Sequence, residues 1–155
     1  MLMNSFKKIL VVATLAGVII AGCSKDKKND TPDPVPPTNK ELLTAKTWQI
    51  GETYQNVTGT RIHYLRGGEN TSGVNMGVIK LKFNSDGTGT NTDISGTTYN
   101  MTWSFTSSDE TNLRLTVNGS VIYDWYFVDI EADFLFANTN VSTDGLVTAR
   151  WIPVP

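Results

Sequence analysis

One histidine, His63, and one cysteine, Cys23, occur in 155 residues. A Ser-His-Asp relay would have to use His63, the side chain that titrates near neutrality. No Gly-x-Ser-x-Gly turn presents a nucleophile to it. His63 lies in Arg61-Ile62-His63-Tyr64-Leu65, opposite in phase to Ile62 and Tyr64, and reads as a solvent-facing strand histidine. Zinc needs three or four protein ligands, so one His and one Cys are poor material for it. Asn84 to Asp93 spaces oxygen ligands as a calcium loop would, with Gly89 at the sixth position. Ser95 stands where the bidentate Glu belongs, so the stretch reads as a hairpin turn. Asp124, Asp129, Glu131 and Asp133 could pair as glycosidase carboxylates, but they read better as a solvated face. No catalytic residue, metal or cofactor is assigned, and the chain reads as non-enzymatic.

The aromatic residues are more informative. Tyr99, Trp103, Tyr123, Trp125, Phe127, Phe134 and Phe136 fall on neighbouring expected strands. Such residues either fill a core or line a cup for an apolar ligand, and aromatics also stack on sugars. The net charge of −2, falling to −4 without Lys7 and Lys8, offers no electrostatic footprint for nucleic acid. No Gly-rich phosphate cradle or Arg cluster is present.

The N-terminus differs in composition from the segments that hold these residues. Lys7 and Lys8 precede an uncharged run, Ile9 to Ala21, too short to span a bilayer and right for a secretory leader. Ile20-Ala21-Gly22-Cys23 resembles the lipobox of bacterial lipoproteins. That resemblance implies removal of residues 1–22 and acylation of Cys23, which becomes the new N-terminus. A lipid there would hold the protein on a membrane without a spanning helix. Residues 23–39 are charged and then proline-rich (Pro32, Pro34, Pro36, Pro37), the composition of an extended tether. The tether resembles those of Bacteroidetes lipoproteins, and Ser24 fits outer-membrane sorting. Either face of that membrane is compatible with it.

From Lys40 to Pro155 the period changes. After a short turn at Lys40–Lys46, alternation with period two dominates. Met101, Trp103 and Phe105, with Tyr99 before them, share one face, and Asn100, Thr102 and Ser104 the other. Ile79–Phe83 and Leu113–Val117 alternate likewise, and Trp48–Tyr54, Arg61–Leu65, Val121–Val128, Asp133–Ala137 and Leu146–Ile152 complete the strands. Asp86-Gly87, Ser95-Gly96, Asn118-Gly119 and Asp144-Gly145 supply turns. The expectation is an all-β, antiparallel up-and-down meander of about eight strands closed into a barrel, with a β-sandwich as the alternative.

Leu43-Thr44-Ala45-Lys46-Thr47-Trp48 resembles the opening of lipocalin-like domains, where a Trp follows a short helical turn. Phe83-Asn84-Ser85-Asp86-Gly87-Thr88, Trp103 and the Leu113-x-Leu115 strand resemble segments of bacterial lipocalin-like lipoproteins. The resemblance implies a barrel open at one end that binds a small apolar or amphipathic molecule. It also implies barrel closure with Arg150 lying over Trp48. Fatty, isoprenoid or aromatic ligands suit such a cup. The period-two face supplies Tyr99, Met101, Trp103, Phe105, Leu113, Leu115 and Tyr123 as candidate ligand-binding residues. The alternative function is a non-catalytic interaction or structural module of the envelope, with protein partners unspecified.

Metabolic labelling with a fatty acid tests the anchor. Wild type should incorporate label and Cys23→Ala should incorporate none; label retained by the variant refutes acylation at that residue.

Overall fold

The alternating segments pair into a single antiparallel sheet of nine strands among the described residues. These are β1 (Thr47–Val57), β2 (Thr60–Leu65), β3 (Lys80–Phe83), β4 (Thr88–Thr92), β5 (Thr98–Phe105), β6 (Leu113–Val117), β7 (Val121–Ile130), β8 (Leu135–Ser142) and β9 (Gly145–Pro153). The computed structural model describes residues 33–57, 59–142 and 145–155, and one folded unit runs from Val35 to Pro155. The leader, Cys23, the tether before Asp33 and Asp144 lie outside the described residues.

Strand β1 closes the sheet. One of its edges pairs β9 from Trp48↔Pro153 onward. Its other edge pairs β3 over Thr47–Gln49 and then β2 over Glu52–Val57. The strands β1 and β3 to β9 therefore form a closed eight-stranded up-and-down barrel of lipocalin-like form, and β2 is an extra strand on the second half of β1. This replaces the sandwich alternative. At the fork, β1 is bulged between Ile50 and Glu52. Arg66 serves the freed carbonyls there: Nε donates to Ile50 O at 2.7 Å, Nη2 to Gly77 O at 3.0 Å, and its backbone N–H to Gly51 O at 2.8 Å.

Outward positions carry Lys80, Lys82, Thr102, Ser104 and Arg114, all exposed, while the inward ones carry Leu81, Phe83, Met101, Trp103, Leu113 and Leu115. A polar outside and an apolar inside is the arrangement of a barrel in water, the inverse of one in lipid. The turns form where Gly allows positive φ. Asn118 (φ 51°) and Gly119 (φ 70°) make the β6–β7 hairpin in the conformation that matches strand twist.

One strand escapes the alternation rule. Thr88–Thr92 has no apolar residue, yet it pairs β3 on one side and β5 on the other. The carboxylates that suggested a cation loop serve its flanking turns instead. Asp86 accepts from the Thr88 N–H (2.9 Å) and hydroxyl (2.6 Å), and Asp93 from the Ser95 N–H (2.8 Å) and hydroxyl (2.6 Å). At the other edge, Ile79 ends a single 3-10 turn (Met76–Val78), and β3 begins one residue later.

One end of the barrel is plugged. A capping box at Thr38 and Glu41 starts the six-residue helix α1 (Asn39–Thr44). Its Leu43 is fully buried, and Trp48 Nε1 donates to the Leu43 carbonyl at 2.9 Å. Lys46 Nζ reaches the Ala132 carbonyl in the β7–β8 turn. Above this plug Phe83, Trp103 and Phe105 meet edge to face at 5.6 and 5.8 Å. Trp103 Nε1 donates to both Asn84 O and Thr88 O, tying the β3–β4 turn to β5.

Gly89 faces inward where Met101 crosses it. A Cβ there would lie 2.1 Å from the Lys82 carbonyl oxygen and 2.8 Å from Met101 Cε. The near atom is backbone, so strand β3 must move. Gly89→Ala should therefore cost about 1–3 kcal/mol, the range for overpacked interiors. Urea unfolding should show a lower midpoint with an unchanged slope.

Candidate functional site

The interior is not filled uniformly. Toward the plugged end the inward side chains are Trp48, Phe83, Trp103, Leu113, Ile130 and Leu135, all buried. One row further along, β1, β9 and β8 contribute Thr53, Ala149 and Ala137, paired in register as Thr53↔Ala149 and Ala137↔Ala149. Three small side chains side by side cannot reach across a barrel of eight strands, so a void remains. It measures about 350 Å³, within the range of small-molecule sites.

The cavity has an apolar body and a polar mouth. Ile50, Leu81, Leu115, Trp125, Val147 and Trp151 line the body, and Met76 and Ile79 close the side where β1 and β3 diverge. Trp125 and Trp151 stack with ring centres 5.6 Å apart. Gln55, Asn91, Asp93, Ile94 and Tyr123 stand at the end away from α1. Among the described lining residues Asp93 alone carries a charge. Its turn hydrogen bonds, the Ser95 hydroxyl foremost, hold its pKa below the usual carboxylate range. Three buried polar atoms of the wall have no hydrogen-bond partner: Thr53 Oγ1, Thr139 Oγ1 and Trp151 Nε1.

Of the residues expected at a binding surface, Leu115 and Tyr123 line this cavity. Tyr99 stands with Val117 and Tyr123 around a separate shallow depression at the rim. Met101, Trp103, Phe105 and Leu113 point inward but are packed in the core. Alternation identifies the inward face and carries no information about which half of it is filled. Among the lining residues that alternation on β5 and β6 does not reach is Trp151. Its signal was present as Val147, Ala149 and Trp151 at period two, with alanine in the middle.

The expected contact of Arg150 with Trp48 is corrected. Strands β1 and β9 are neighbours, but Trp48 faces Pro153 in the register, and Arg150 faces Glu52. Trp48 points in and is fully buried. Arg150 precedes inward Trp151, so it points out, and its guanidinium lies 5.3 Å from the Phe134 ring centre.

His63 is on the outside of β2, flanked by two carboxylates and stacked on Tyr54 at 4.2 Å. Nδ1 lies 2.8 Å from Glu69 Oε2, and Nε2 lies 3.1 Å from Glu52 Oε1. With both ring nitrogens held by carboxylates, it has none free to serve as a base. Asp124 is bound by Arg114 Nε and Nη2 at 2.7 and 3.0 Å, which removes it from the acidic group around Asp129.

Fold and cavity together define a closed up-and-down barrel with an internal cup open at one end. Comparison with family models, curated proteins and solved structures gave no match.

The two carboxylates, Glu69 first, raise the His63 pKa above its ordinary 6.5. Hydrogen bonds from Tyr54 and then His63 lower that of Glu52 below 4.5. The histidine's contribution to stability is complete below about pH 6.5 and is lost as pH rises through its elevated folded pKa. The Glu52 contribution is present above about pH 4.5 and is lost as pH falls through its lowered folded value. Thermal unfolding of His63→Gln should thus fall further below wild type at pH 5.5 than at pH 8.5. An equal deficit at both would mean that the charges contribute nothing.

Proposed function

We propose that this chain is a lipid-anchored bacterial lipoprotein whose lipocalin-like barrel binds a small apolar or amphipathic molecule at an outer membrane. The observation that carries the reading is the cavity of about 350 Å³, open at one end and lined mainly by apolar side chains. Burial of a ligand there gains roughly 25 cal/mol per Å² of apolar surface removed from water. Helix α1 closes the opposite end, so entry and exit run through the rim of Gln55, Asp93, Ile94 and Tyr123. The anchor rests on Cys23 after its apolar leader; among the described residues no helix is long and apolar enough to cross a membrane.

A second reading, an envelope interaction module, draws on the outer face of β7. There Ile122, Tyr126 and Phe127 are exposed, and Phe127 holds a positive φ of 51° at the bulge. A bulky side chain held out in that conformation is uncommon.

The segment Val35–Pro155 holds the capped helix and all nine strands, and it can be titrated with the neutral dye N-phenyl-1-naphthylamine. Saturable fluorescence enhancement is expected. Ala149→Phe, which fills the void, should weaken it by about tenfold or more while circular dichroism is unchanged. Saturation indifferent to Ala149→Phe would place the dye elsewhere, and no saturation would favour the interaction module.

A further inference from the structure

Two indoles of the filled half show what this barrel does with a buried N–H. Trp48 Nε1 donates to Leu43 O, and Trp103 Nε1 donates to Asn84 O and Thr88 O. Trp151, only 6% exposed and on the cavity wall, has no such partner. Neither do the hydroxyls of Thr53, 2% exposed, and Thr139. All three sit on adjacent strands: Thr53 on β1 faces Ala149 of β9, Thr139 on β8 faces Val147 of β9, and Trp151 follows on the same inward face of β9. A buried polar group without a partner is costly, and natural interiors rarely leave one. Three such residues on the lining of one void indicate a wall that meets something polar.

We propose that this wall recognises a neutral oxygen acceptor, a ketone, ester, ether or alcohol, carried by the otherwise apolar ligand. The inference rests on the cavity being a binding site and names the ligand's chemistry there. Indole N–H is a donor only, so Trp151 requires an acceptor; threonine hydroxyls can donate or accept. The oxygen is neutral because the described cavity lining contains no Lys, Arg or His, and Asp93 at the mouth is its one charged residue. An anion taken into that interior would be desolvated without a counter-charge, which excludes carboxylates and phosphates. The bicyclic pair camphor and bornane differ by one carbonyl oxygen at nearly constant shape, and they probe the wall without presuming the natural ligand.

The test is equilibrium dialysis of the full chain in phosphatidylcholine nanodiscs, with empty nanodiscs run in parallel to subtract partition into lipid. Trp151→Phe should weaken camphor about tenfold, the scale of one buried hydrogen bond, and leave bornane within about twofold. Thr53→Val, matched in shape, should weaken camphor selectively too and carries the comparison if Trp151→Phe does not fold. Camphor-10-sulfonate should not bind above the empty-disc background. Equal losses for camphor and bornane in both variants, or tight binding of the sulfonate, would overturn the oxygen-acceptor inference and leave the cavity reading standing. Binding of neither camphor nor bornane to wild type would overturn both.

Discussion

Pairing of β1 with β9 is the constraint on which the rest depends. Once the first and last barrel strands share a ladder, the circumference is set by strand number and tilt. Eight strands enclose a width that large side chains just fill. Side-chain size along the inward rows then decides what is solid and what is hollow. Trp48, Phe83 and Leu135 make one half solid; Thr53, Ala137 and Ala149 leave the other half open. The cavity is a consequence of closure combined with three small residues in one row.

Closure also has a local cost, met at the fork of β1. A strand that pairs β3 first and β2 afterwards must leave β3, and the bulge at Gly51 is where it does so. The space is narrow: a Cβ on Gly51 would lie 2.9 Å from Ile152 Cγ2. Arg66 supplies three donors, to the carbonyls of Ile50, Gly51 and Gly77, so hydrogen bonds help to seal the opening. Met76 and Ile79 then lie across the gap and become part of the cavity wall. The connection from β2 to β3 is thus both the seal of the barrel and one side of the candidate site.

Much of this fold was legible because half-buried strands write their faces with period two. Tyr99, Met101, Trp103 and Phe105 on β5, and Leu113 and Leu115 on β6, were assigned to the inward side from alternation alone. Strand β4 was not legible as a strand, since its Thr and Asn side chains carry no apolar signal and its pairing is imposed by both neighbours. The site was less legible than the fold. Locating a void requires knowing which inward residues share a row, and rows are made by register between distant segments. Ala137 and Ala149 look unremarkable in sequence and become informative only side by side. Arg150 shows the same limit: a one-residue offset from Trp151 puts it on the outer face, over Phe134.

The two halves of the interior also differ in how their polar groups are treated, and this bears on energetics. In the filled half the buried indoles are paired with carbonyls of helix α1 and of the β3–β4 connection, so each hydrogen bond also fastens a neighbouring segment. In the hollow half Thr53, Thr139 and Trp151 fasten nothing. Each such group costs about 1–3 kcal/mol when left unpaired, against a total stability of roughly 5–15 kcal/mol for a domain of this kind. A ligand that pairs them removes that cost while burying apolar surface, so binding and folding draw on the same atoms. Stability gained from a ligand that binds only the folded state grows with the logarithm of its concentration over its Kd. On the proposed reading, the packed end is held by hydrogen bonds within the chain, and the wall of the cup would be completed by its ligand.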